Sequence, residues 1–156
     1  MPSVTALRRW LVFVGIVRLF SVILGYLAPE RLHTNLYDLS GAELTPLQGR
    51  TFATWTLTTC LLCFACARDP RQSGVYAATL ASFVVALLHF SLELAVFRTM
   101  TWRAALPPFF FASASSLWMA AGWTYYTRYA NGAAGAGLAE PTASEDTQQG
   151  TYGKDD

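Results

Sequence analysis

The sequence predicts an all-α integral membrane protein, with four transmembrane helices in a compact bundle and a disordered C-terminal tail. Three observations carry this. Only 13% of the 156 residues are charged and 53% are hydrophobic, against about 25% charge in an ordinary soluble domain. Four apolar runs each approach the roughly 20 residues that cross about 30 Å of hydrocarbon as a helix. Aromatic residues gather at the ends of those runs (Trp10, Tyr26, Trp102, Trp123, Tyr125, Tyr126 and Tyr129), as in an interfacial belt. No run alternates strictly with period two, which argues against transmembrane strands. A net charge of +1 supplies no basic field for gripping nucleic acid, and that class is set aside.

The transmembrane domain is expected over residues 1–129. Its first helix covers about 10–28, interrupted by Arg18 and closed by Pro29. Arg8-Arg9 ahead of an apolar stretch invites a signal-peptide reading. Arg18 breaks the would-be hydrophobic region and no small-x-small cleavage site follows, so a retained helix is expected. The second helix, about 51–67, is short and threonine-rich, a composition tolerated between packed membrane helices. Asp69-Pro70 closes it, and Ser73-Gly74 leads into the third helix, about 75–97. The fourth covers about 104–126, with Pro107-Pro108 in its opening turn, where missing amide donors matter least. From 130 to 156 the chain turns Gly/Ala-rich, then acidic and polar, with too few large apolar groups to offset ordering entropy. Four crossings put both termini on one face. Arg8, Arg9, Arg68, Arg71 and Arg128 flank the spans on that side, against Arg31, Arg50, Arg98 and Arg103 on the other. This slight bias favours cytosolic termini.

Groups suited to chemistry are few. Cys60, Cys63 and Cys66 lie three apart in the second helix, but a cluster needs four ligands and the chain has three cysteines. Zinc would also need a fourth ligand, and His33 is expected across the membrane from Cys66. Small polarizable side chains at a helix interface are the better reading, and no metal is expected. With His33 and His89 as its two histidines, the chain cannot supply the ligands of a di-iron oxygenase. No phosphate loop or nucleophile motif stands out, and no cofactor or catalytic residue is expected.

Ionisable groups at membrane depth remain: Arg18, His89 and Glu93. Each is costly to bury, at about 2.5–3.5 kcal/mol for a charge at mid-helix on insertion scales. His89 and Glu93 are four residues apart and share one face of the third helix. Glu93 lies roughly 6 Å below its interface, and Arg50 opens the second helix at that same interface. Depth therefore predicts an Arg50–Glu93 ion pair with His89 as a neighbouring hydrogen-bonder. The functional alternative makes His89 and Glu93 a proton-transfer pair acting on a lipid.

At these residues the sequence resembles a known family. Leu47-Gln48-Gly49-Arg50-Thr51-Phe52, followed by Trp55-Thr56-Leu57, is similar to the ergosterol biosynthetic protein 28 family. Leu36-Tyr37, Tyr76, Thr79-Leu80 and His89-Phe90-x-x-Glu93 fit the same family, over about residues 8–128. The resemblance implies a small four-helix protein of the endoplasmic reticulum membrane. It further implies a non-enzymatic scaffold of sterol C-4 demethylation. Its implied partners are a sterol C-4 methyl oxidase, a sterol C-3 dehydrogenase/decarboxylase and a 3-ketosteroid reductase. The sequence departs from the family at its end, Tyr152-Gly153-Lys154-Asp155-Asp156, where a short basic tail is expected.

A platform in the lipid bilayer is therefore expected, with Arg50, Thr51, Phe52, Trp55, His89 and Glu93 fixing the helix pair that presents a partner surface. Thr54, Thr58 and the small residues Ala112–Ser116 are further candidate helix contacts. The runner-up is an intramembrane sterol isomerase using His89 and Glu93. A proton-coupled channel would need more than one ionisable pair.

Overall fold

The computed structural model describes residues 3–40 and 45–136, except the side chains of residues 32, 33 and 128–136. The described residues contain five α-helices and no strand: α1 (Val4–Leu27), α2 (Pro29–Asn35), α3 (Pro46–Arg68), α4 (Ser73–Leu92) and α5 (Trp102–Ala136). A π-helical turn, Glu93–Phe97, extends α4.

Local chemistry sets the ends. Ser3 caps α1, its side-chain oxygen accepting the Ala6 amide proton, so the helix starts well before the apolar stretch at Trp10. Pro29 breaks the chain after Ala28 and opens the short α2, between the expected first and second helices where none was expected. α3 begins with a capping box. The Thr45 hydroxyl accepts from the Gln48 amide, the Gln48 carbonyl oxygen accepts from the Thr45 amide, and Pro46 occupies the first turn. These polar residues put the helix start five residues ahead of the expected position at Thr51, because hydropathy registers only the apolar portion. α5 begins at Trp102, so Pro107 and Pro108 lie inside the helix rather than in its opening turn. Its backbone runs on to Ala136, past the expected boundary at 129. The tail expected beyond that point lies outside the described residues.

Among the described residues three segments are long and apolar enough to cross a membrane: Val4–Leu27, Ser73–Phe97 and Trp102–Thr127. Their outward faces carry exposed Ile16 and Phe20, Val85 and Leu88, and Phe110 and Leu117. Such faces suit lipid and would be a liability in water. α3 has comparable length, 23 residues, but is less apolar.

The helices associate chiefly as two pairs, α1 with α3 and α4 with α5, joined by a thinner α3–α4 contact. Glycine makes the first pairing close. A Cβ at Gly25 would lie 2.8 Å from Ala53 Cβ and 2.9 Å from the Gly49 carbonyl oxygen. The Gly25 crossing against Gly49-x-x-x-Ala53 is thus a small-residue contact of the kind membrane helices use. Between the pairs, Leu7, Leu11, Val14, Cys63, Cys66, Tyr76, Phe83 and Met119 form the main buried cluster. All three cysteines are buried and none is in a disulfide. Polar groups in this interior are bonded across helices: Trp10 Nε1 donates to Ser115 Oγ, Tyr76 to the Met119 carbonyl, and Thr79 to the Leu62 carbonyl. Ser115, within the small-residue run expected to make helix contacts, thus meets α1.

Candidate functional site

At the end of the bundle where α2 leads toward α3 and α4 toward α5, three aromatic rings close around His89 and a fourth, Phe52, braces two of them. Helical phase puts Phe52 and Trp55 on the face of α3 that meets α4. Trp55 stands edge-on to the His89 ring at 5.5 Å between centroids, Phe52 edge-on to Trp55 at 5.8 Å, and Phe90 flanks His89 at 5.2 Å. Tyr37 arrives from the α2–α3 connection. Its phenol shares a 2.9 Å hydrogen bond with His89 Nε2, and its ring meets Phe52 edge-on at 6.0 Å. Edge-to-face pairs of this sort add direction to simple apolar burial.

A clasp holds Tyr37 in place. Asp38 accepts hydrogen bonds from the Thr101 amide and hydroxyl, both at 2.7 Å, and the Leu39 amide donates to the Thr99 carbonyl at 3.0 Å. Thr101 also starts α5, its carbonyl accepting from the Ala105 amide. The two Thr101 hydrogen bonds hold the Asp38 carboxyl below its ordinary value. Burial, reinforced by the Glu93 carboxylate, raises the Tyr37 phenol well above its ordinary value, so it stays protonated and able to donate.

Glu93 stands where α4 passes into the π-turn. One carboxylate oxygen accepts the Thr99 hydroxyl proton, and the other lies 3.8 Å from His89 Nδ1. That separation is beyond hydrogen-bond reach, and the contact joins opposite charges only when the imidazole is protonated. The turn closes on Arg98 in the left-handed conformation (φ 55°, ψ 38°), and the Thr99 amide returns to the Glu93 carbonyl. Tyr37, Thr51, Phe52, Trp55, His89, Glu93 and Thr99 line a cavity of about 650 Å³.

The structure brings together Thr51, Phe52, Trp55, His89 and Glu93, and it overturns the Arg50–Glu93 ion pair. Among the described residues the Glu93 carboxylate meets the His89 imidazole instead, and no arginine reaches it. Depth matched Arg50 to Glu93, but helical phase decides. Arg50 is two residues, about 200°, from Phe52 on an α-helix, and it belongs to the exposed stripe with Leu47, Thr54, Thr58 and Leu61. Thr54 and Thr58 therefore lie on the outer face of α3, and the Thr54 hydroxyl shares a hydrogen bond with Tyr26 of α1 at 2.7 Å. Sequence reasoning missed Thr99 and the Asp38–Thr101 clasp altogether. Tyr37 entered only through the family resemblance, since nothing in periodicity marks a loop tyrosine as a histidine's partner.

Comparison with known proteins accounts for most of the chain. The family model described as Erg28 like protein matches residues 7–117. Ergosterol biosynthetic protein 28 of Arabidopsis thaliana is 40% identical over 118 residues, covering 76% of this chain and 90% of that protein. The Saccharomyces cerevisiae protein of that name is 34% identical over 122 residues, 78% of this chain and 82% of the yeast protein. The Homo sapiens ergosterol biosynthetic protein 28 homolog is 35% identical over 120 residues, 76% and 86% of the two chains. No solved structure matches. The segment matched holds both the Phe52–Trp55 wall and the Tyr37–His89–Glu93 network, and on these findings the chain belongs to the ergosterol biosynthetic protein 28 family.

Proposed function

We propose that this protein is a non-enzymatic scaffold of the endoplasmic reticulum membrane. In this reading it acts in sterol biosynthesis and tethers the C-4 methyl oxidase, the C-3 dehydrogenase/decarboxylase and the 3-ketosteroid reductase of sterol C-4 demethylation. The observation that carries it is how the most family-like block of α3 divides. Phe52 and Trp55 turn inward and brace His89, while Arg50, Thr54 and Thr58 of the same helix face outward. One face builds rigidity and the other is left for contact. Within the hub the polar atoms are engaged with one another, Tyr37 with His89 and Thr99 with Glu93, an arrangement that favours fixed geometry over proton traffic. Tethering enzymes that share an apolar intermediate raises the effective concentration of each for the next.

In this reading α3 is the fourth span. Four of its five threonine hydroxyls bond within the helix: Thr51 donates to the Leu47 carbonyl, Thr54 to Arg50, Thr58 to Thr54 and Thr59 to Thr56. That lowers the cost of carrying them into hydrocarbon. Both termini then lie on one face, and the slight excess of arginine there favours the cytosol.

The cavity of about 650 Å³ against His89 and Glu93 gives the isomerase reading its one specific support. A single preparation separates the two. The tagged protein is solubilised in mild detergent, its companions are identified, and sterol conversion by the protein alone is assayed. The scaffold reading expects the three enzymes to co-purify and the isolated protein to be inactive. Sterol conversion that Glu93→Gln abolishes without loss of companions would sink it, as would the absence of sterol enzymes from the pull-down.

A further inference from the structure

A second cavity, about 340 Å³, opens on the other side of the Phe52–Trp55 wall, between α1, α3, α4 and α5. Its lining is mainly apolar, with Leu24, Phe90 and Phe111 among the walls and Pro107 and Pro108 exposing helix turns that lack amide donors. Two of its lining residues are cations, Arg18 from mid-α1 and Arg31 from α2, and no Asp or Glu is among the described residues that line it.

Among the described residues Arg18 has no counter-charge. Its guanidinium stacks over the Phe83 ring at 4.5 Å, and its Nη1 is enclosed with no hydrogen-bond partner among the described residues. The Glu93 carboxylate lies elsewhere, beside His89. A ring face recovers only part of what a desolvated guanidinium loses, since that group is built for paired hydrogen bonds to a carboxylate or phosphate. Maintaining it at membrane depth is costly unless something supplies the missing acceptor. Arg31, at the other cationic position of the cleft, adds attraction of the same sign.

We propose that this cleft binds the carboxylate of a membrane lipid acid, with Arg18 as its anchor, Arg31 as a second positive charge and the apolar walls holding the hydrocarbon body. A phosphodiester fits less well, because it is substituted on both sides and would have to carry its polar headgroup with it toward the middle of α1, whereas a carboxylate ends its molecule. Identifying the acid as a sterol acid rests on the scaffold reading, and the carboxylate rests on the cleft alone. Such an acid is what exhaustive oxidation of a ring methyl group supplies and what a decarboxylase consumes. The scaffold would then hold the charged intermediate as well as the enzymes on either side of it.

The test uses the full chain in phosphatidylcholine nanodiscs and three photoreactive probes: a sterol carboxylic acid, its methyl ester, and a fatty acid. The sterol acid is expected to label the walls contributed by α1 and α5 and to be displaced by unlabelled acid. Neutralising either side of a charged hydrogen bond should weaken labelling about tenfold or more, so the ester on the wild type and the acid on Arg18→Gln should both fall by that factor. Arg18→Lys should recover part of it and Arg31→Gln should lose less. Thermal unfolding of each variant shows that it is folded, and the ester comparison needs no variant. Equal labelling by acid and ester, or undiminished labelling of folded Arg18→Gln, overturns the site. Fatty acid labelling as strongly as the sterol acid overturns the sterol identification. Co-purification of the three enzymes, measured on the same preparations, tests the scaffold reading separately: acid binding without companions removes that reading and leaves the site standing.

Discussion

At the scale of single residues the structure turns on partners that no spacing rule announces. Tyr37→Phe removes the hydroxyl bonded to His89 Nε2 and should destabilise the protein by about 1 kcal/mol, read as a lowered thermal midpoint in detergent. A double-mutant cycle with His89→Ala should show the two effects to be coupled rather than additive. Asp38 makes a prediction about pH. Its folded pKa is depressed by the Thr101 hydrogen bonds, so its contribution is present above the unfolded value of about 3.9 and is lost as pH falls through the folded value. Asp38→Asn should therefore lower the midpoint at neutral pH and flatten its acid limb below about pH 4. An unchanged limb would show that the clasp does not titrate with folding. The failed Arg50–Glu93 pair belongs to this scale too. Depth was legible in the sequence, whereas facing direction also needs the helix start, which Thr45 and Gln48 fix.

At the scale of elements, α1 and α3 meet through Gly25, Gly49 and Ala53. Gly25→Leu should force that crossing apart and cost about 1–3 kcal/mol, measured by thermal unfolding. The exit from α4 makes the opposite test, because Arg98 occupies a left-handed conformation that glycine adopts freely. Arg98→Gly should leave the protein as stable or raise stability by up to about 1 kcal/mol, while the β-branched Arg98→Val should lower it. Hydropathy located the apolar bodies of α1, α4 and α5, since burial in lipid and burial in a core select the same residues. It could not show α2, seven residues opened by a proline. Nor could it show the π-turn after Leu92, which depends on where the chain must go next.

At the scale of the whole molecule, the scaffold reading predicts that stability and assembly separate. Arg50→Ala combined with Thr58→Leu changes only the outer face of α3, so the thermal midpoint should reflect no more than about 0.5 kcal/mol. Recovery of the sterol enzymes in a pull-down should nevertheless fall. Unchanged recovery would move the docking face to another helix. The family block was the most informative part of the sequence, and the structure explains its density: over the ten residues from Gln48 to Leu57 it holds the Gln48 half of the capping box, the Gly49–Ala53 crossing, the aromatic wall, and Arg50 and Thr54 of the outward stripe.

The clasp of Asp38 on Thr101 carries a consequence for how the chain comes together. Each of the main helix pairings joins segments that leave the ribosome near one another, α1 before α3 and α4 before α5. If α3 crosses the membrane as the four-span reading proposes, two hairpins can enter the bilayer in succession, each satisfying its own backbone before the halves meet. The Asp38 loop belongs to the earlier hairpin and Thr101 to the later one. The Tyr37 hydrogen bond to His89 is consequently made only after the second hairpin has docked. A chain halted between Asp69 and Gln72 would carry a finished first half with its latch still open.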